Sequence, residues 1–90
     1  MKEIDYIWDE DKILQEIEQY IDATYSAHYA GEKKIQTTEY IASCLGFEGT
    51  IAAFKFNIMK YADRFGKKEG YNEKDLMKVI HYAIMALSVT

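Results

Sequence analysis

Proline is absent from this chain, cysteine occurs once, as Cys44, and glycine only five times. A lone cysteine rules out an intrachain disulfide and a cysteine-built zinc cluster, and fits a reducing compartment, by default the cytoplasm. No stretch alternates apolar and polar residues between turn signals, so strands have no support and the expected class is all-α. The amino terminus, Met1-Lys2-Glu3-Ile4-Asp5, lacks the basic segment and apolar core of a leader peptide. The longest largely apolar stretch, Val79 to Val89, is interrupted by His81 and is too short for a bilayer, so no membrane partner is expected.

Two catalytic signatures are missing as well. Gly66-Lys67-Lys68 has no strand before it, no earlier glycine and no hydroxyl after the lysine, so it is not a phosphate loop. All-α nucleotide pyrophosphatases hold magnesium with acids at helical spacing, whereas Glu16 and Glu18, or Glu73 and Asp75, stand two apart and face different ways. Neither a metal nor another cofactor is expected.

What is present is enough apolar material, 49% hydrophobic and 14% aromatic, for one small domain over residues 1–90. The charge is unevenly spread. Residues 1–27 hold eight acids against Lys2 and Lys12, a net of −6, while the remainder carries +2 within a total of −4. An acidic molecule with a local basic patch is poorly matched to long nucleic acid, which takes a broad basic surface. It is better matched to a small phosphorylated ligand.

Periodicity predicts four helices. The first, Asp9 to Ala23, aligns Ile13, Leu14, Ile17, Tyr20 and Ile21, with acids in its first turn that suit the helix dipole. Thr24 to Gln36 shows no period and reads as the longest loop, able to fold over a ligand. A short second helix runs from Thr38 to Leu45, with Thr37 as N-cap and Gly46 as terminator. The third, Glu48 to Phe65, carries the stripe Ile51, Phe54, Ile58, Tyr61 and Phe65 and a second stripe of Ala52, Phe56 and Met59. It is expected to be the central helix, buried on two sides or set at an oligomer interface. The fourth starts at Asn72, whose side chain caps it while Asp75 reaches back, and its core stripe is Leu76, Val79, Ile80, Ala83, Ile84 and Leu87. Helices three and four then form an antiparallel hairpin across the Gly66–Tyr71 turn. Cys44, among Ile41, Ala42 and Leu45, reads as an inert core residue, and His81 as a packing histidine.

That hairpin gathers the cations. Asn57, Lys60 and Arg64 share a face, Gly66-Lys67-Lys68 extends them, and Asp75, Lys78 and Tyr82 share a face of the fourth helix that lies opposite. Arg64 offers a planar fork for two phosphate oxygens; Lys60, Lys67 and Lys68 are mobile point charges; Asn57 is both donor and acceptor. Tyr29, Tyr61 or Tyr82 can stack on a base, and His28 can donate to a phosphate or move a proton near neutral pH. The competing reading makes the lysines solvated surface, pairs Arg64 with Asp75 and puts the tyrosines in the core.

His28-Tyr29, followed by Asn57-Ile58-Met59-Lys60-Tyr61-Ala62-Asp63-Arg64-Phe65-Gly66-Lys67-Lys68 and then by Asp75-Leu76-Met77-Lys78-Val79-Ile80-His81-Tyr82, resembles the SaV-like family of small phage proteins. That family is a domain of unknown function with a related segment in a phage nucleotide kinase. The likeness covers Tyr25 to Leu87 and leaves the acidic residues 1–24 outside. Phe56 stands where the family pattern has a glycine before the asparagine, and the loop offers Gly31 alone where the pattern has a glycine pair. The resemblance implies a nucleotide ligand and a phage-encoded protein acting in the host cytoplasm.

Three functions follow as expectations. The first is a non-catalytic protein that recognises a phosphorylated nucleotide, linear or cyclic, and sequesters a host-defence signal. The second is a nucleotide kinase or phosphohydrolase with His28 or Asp75 as base. The third is an acidic interaction module whose first helix docks on a host protein. The first is preferred because ninety residues without a phosphate loop or carboxylate cluster leave little room for turnover. A homo-oligomer is expected in every case, since a helix apolar on two sides needs a second surface to cover it.

Overall fold

The computed structural model describes residues 3–28 and 37–90, which form three helices and no strand. Helix α1 spans Glu10–His28, α2 spans Thr37–Arg64 and α3 spans Glu73–Ser88. The chain enters α1 through Asp9, which adopts a left-handed φ of 58. The Trp8 amide there donates to the Glu10 carboxylate at 3.0 Å. Short polar side chains tolerate that region best among residues other than glycine.

Helix α1 runs past its expected end, so Thr24 to His28 are helical rather than loop. Thr24 is accommodated because its hydroxyl donates back to the Tyr20 carbonyl at 2.9 Å, one turn earlier. The rest of the expected loop lies outside the described residues.

The two helices expected on either side of Gly46 form one kinked element, α2, broken at that glycine (φ 74, ψ −174). Thr50 secures the break: it is buried, and its hydroxyl donates to the Gly46 carbonyl at 2.6 Å. The kink turns the segment before it out of line with the rest of α2, leaving Tyr40 and Leu45 exposed. Cys44 is exposed with them, which corrects its expected place in the core.

The centre of the fold is α3. Helix α2 returns beside it across the 65–72 turn, α1 packs on its other side, and α1 and α2 do not meet among the described residues. The expectation that the helix after Gly46 would be central is therefore corrected. That helix packs on α3 with the face of Phe54 and Tyr61, while Ala52, Phe56 and Met59 stay exposed. In the turn, Tyr71 lies so close over Gly66 (φ 91) that a Cβ there would sit 2.9 Å from the tyrosine ring, and Phe65 meets the same ring edge-on at 5.3 Å.

Asn72 caps α3 by accepting from the Lys74 amide at 2.9 Å, and its own amide group donates to the Glu69 carboxylate at 2.9 Å. Asp75 does not complete a capping box. Its backbone amide donates to the Asn72 carbonyl at 3.0 Å, and its side chain is buried instead. His81 packs as expected, with its ring 6.1 Å from Tyr20 and 6.4 Å from Tyr25, both on α1. Burial and, secondarily, the charge of Lys78 hold its pKa below the usual 6.5. No helix among the described residues is long and apolar enough to cross a membrane.

Candidate functional site

Four of the expected residues converge on the ring of a fifth, Tyr61. Lys60 Nζ lies 5.0 Å from the centroid of the Tyr61 ring, Arg64 Cζ 5.5 Å and Lys78 Nζ 5.5 Å. The Tyr82 ring stacks on Tyr61 at 6.2 Å with planes 9° apart. The geometry follows from the helices: Lys60 and Arg64 are four apart on α2, Lys78 and Tyr82 four apart on α3, and the short turn sets those faces together. Buried Phe54, 6.2 Å from Tyr82, backs the pair of tyrosines.

Three cations lie within 5.5 Å of the centroid of one ring, whose quadrupole returns only about 0.5–1 kcal/mol per contact at an exposed site. Among the described residues, no carboxylate lies within ion-pairing distance of any of them; the ion pairs are Lys12 with Asp9 at 4.0 Å and Lys67 with Asp63 at 2.8 Å. Arg64 and Asp75 do not pair. The cluster is thus a concentration of positive charge that the described part of the chain leaves unneutralised.

The remaining expected residues are placed otherwise. Asn57 commits its amide donor to the Ala53 carbonyl of its own helix at 3.0 Å. Lys67 is held by Asp63, and Lys68 is exposed beyond the end of α2. His28 is the last residue of α1, but its side chain, like Tyr29, lies outside the described residues. Asp75 is 4% exposed, and its Oδ2 has no hydrogen-bond partner. The first turn of α3 favours a negative charge, yet an unsatisfied buried oxygen costs about 1–3 kcal/mol. Its carboxylate lies inside the fold, on the helical face that also carries Lys78 and Tyr82, and does not line the surface.

Sequence reasoning missed a groove elsewhere on α3. It encloses about 420 Å³ between Ile13 and Glu16 of α1, Phe65 and Tyr71 of the turn, and Leu76 and Ile80 of α3, with Glu73 also on its wall. Apolar walls carrying two carboxylates suit an apolar ligand and disfavour a phosphate. Its only sequence signal is the apolar residues of helices one and four, which do not reveal that the two helices leave a gap. Among the described residues, no three histidines, cysteines or carboxylates gather as a metal site requires.

In comparisons with curated proteins and with solved structures, nothing matches the chain. The profile of DUF3310, a protein family of unknown function, matches residues 23–84. That span takes in the end of α1, all of α2, most of α3 and all five residues of the Tyr61 cluster, and leaves out the acidic start of α1. With more than half of its length inside the match, the chain belongs to the DUF3310 family.

Proposed function

We propose that this protein binds a small phosphorylated nucleotide, linear or cyclic, at the cluster of Lys60, Tyr61, Arg64, Lys78 and Tyr82, and holds it without chemical change. The observation that carries this reading is the trio of cations around Tyr61 with no carboxylate in ion-pairing range among the described residues, in a protein whose net charge is −4. A phosphate supplies the missing charge, with the Arg64 fork taking two oxygens and the lysines adding point attraction. The exposed parts of the Tyr61 and Tyr82 rings give a base or sugar an aromatic wall. The resemblance to small phage proteins, with its link to a nucleotide kinase, supports a phage-encoded role in removing a nucleotide signal of host defence from the cytoplasm.

The test is to incubate the pure protein with mono-, di-, tri- and cyclic nucleotides, separate it by ultrafiltration, and chromatograph the filtrate and the denatured retentate. One species should leave the filtrate and return unaltered from the retentate. New species in the filtrate contradict holding without chemistry and favour a kinase or phosphohydrolase. An unchanged mixture contradicts nucleotide binding altogether and favours an interaction module built on acidic α1.

A further inference from the structure

The groove between α1 and α3 plays no part in the nucleotide reading, and its walls have a chemistry of their own. On α3, Glu73, Leu76, Met77 and Ile80 fall on one helical face, so a carboxylate stands in line with three apolar side chains. On α1, Ile13 and Glu16 stand three apart and again pair an apolar side chain with a carboxylate. Phe65 and Tyr71 wall the groove from the turn, their rings set edge to face at 5.3 Å.

Size favours a small occupant. The groove's volume of about 420 Å³ falls within the range of pockets that take small organic molecules. A docked helix presents anchors at i, i+3, i+4 and i+7, about 10 Å of its length, and needs walls of that extent on both sides. The α1 wall, Ile13 and Glu16, is one turn long. Ile13 and Leu76 remain 40% and 41% exposed and Tyr71 80%, so the apolar walls are open to a ligand rather than closed on each other.

Charge selects the sign of that occupant. Neither Glu16 nor Glu73 has an ion-pair or hydrogen-bond partner among the described residues. Lys12, one turn before Glu16 and placed to neutralise it, reaches back to Asp9 at 4.0 Å instead. Glu73, in the first turn of α3, offsets the partial positive charge of that helix end. Glu16 stands within α1, away from its ends, and α1 also carries Glu10, Asp11, Glu18 and Asp22 against Lys12 alone. The field across the groove is therefore negative, which draws cations and turns anions away. An ammonium group also gains from the aromatic faces at the turn.

We infer that the groove binds a small organic ammonium ion, an amine carried on an apolar or aromatic body, with the body between Ile13, Leu76 and Ile80 and the charge against Glu16 and Glu73. The inference is independent of the nucleotide reading, since none of these residues belongs to the cation cluster.

The test uses three probes with one aromatic body and different charge: tryptamine, 3-methylindole and indole-3-propionate, which are cationic, neutral and anionic at neutral pH. In amide chemical-shift titrations of the full chain, tryptamine should give saturable shifts centred on Ile13, Tyr71, Leu76 and Ile80. It should bind several-fold tighter than 3-methylindole, with indole-3-propionate weakest. Glu16→Gln and Glu73→Gln, both at exposed positions, should keep their helicity and each weaken tryptamine about two- to fivefold while leaving 3-methylindole unchanged. Equal binding of the three probes, shifts centred elsewhere or absent at millimolar tryptamine, or a preference for the cation that survives both substitutions overturns the inference. A blocked tripeptide with lysine between two leucines separates a free amine from a protein segment. Weaker binding than tryptamine supports the inference, and tighter binding overturns it in favour of a basic peptide.

Discussion

The two sides of α3 carry opposite chemistry. Toward α2, Lys78 and Tyr82 join Lys60, Tyr61 and Arg64 in a positive, aromatic cluster with no carboxylate in ion-pairing range among the described residues. Toward α1, Leu76, Met77 and Ile80 line an apolar groove that also holds Glu16 and Glu73. The apolar groove is thus the wrong place for a phosphate, and the right charge sits on the α2 side of α3. Where function depends on an anion, charge left unpaired is a better guide than the size of a cavity.

The comparison breaks most readily at the cations. Replacing Arg64 or Lys78 by Ala should weaken nucleotide binding about tenfold to a hundredfold each, since a charge-assisted bond contributes about 1.5–3 kcal/mol. Glu73→Ala on the groove side should leave the titrated affinity unchanged or slightly improved. Equal losses from both sides, measured by calorimetry, would erase the distinction.

Asp75→Asn sharpens it. Removing a buried negative charge beside the cluster should strengthen phosphate binding several-fold, on the order of 1 kcal/mol. A weaker complex would contradict the placing of the Asp75 carboxylate inside the fold, away from the ligand.

Acid should loosen the α1 side. Because His81 has a lowered pKa in the fold, the unfolded chain takes up the proton first. Stability should therefore fall as pH drops through about 6.5, level off below the folded pKa, and be insensitive to His81 above neutrality. His81→Phe should flatten that slope in urea titrations between pH 5 and pH 7.5, values chosen to bracket the ordinary histidine range. The smallest effect belongs to Lys67→Ala, whose exposed pair with Asp63 contributes at most about 1 kcal/mol, and nucleotide affinity should change less than twofold.

Much of the cluster was legible in the sequence because its parts obey fixed spacings. Lys60 and Arg64, like Lys78 and Tyr82, share a face in any helix, and the short turn after Gly66 leaves the two faces little choice but to meet. Legibility stopped where a partner had to be chosen. Nothing in the spacing says that Asn57 turns to Ala53, that Lys67 takes Asp63, or that Asp75 is buried rather than joined to Arg64. The all-helical class was readable, but the centre of the fold was not. Both α2 and α3 offer apolar stripes, and only the placement of α1 makes α3 the shared surface. Cys44 looked like core because its neighbours are apolar; the Gly46 break decides otherwise.

The most direct measurement is an amide chemical-shift titration of the isotope-labelled chain with a nucleoside triphosphate. Binding at the cluster predicts saturable shifts centred on Lys60, Tyr61, Arg64, Lys78 and Tyr82, with the groove residues Ile13, Tyr71 and Ile80 unmoved. Shifts centred on the groove, or none at millimolar ligand, contradict the account.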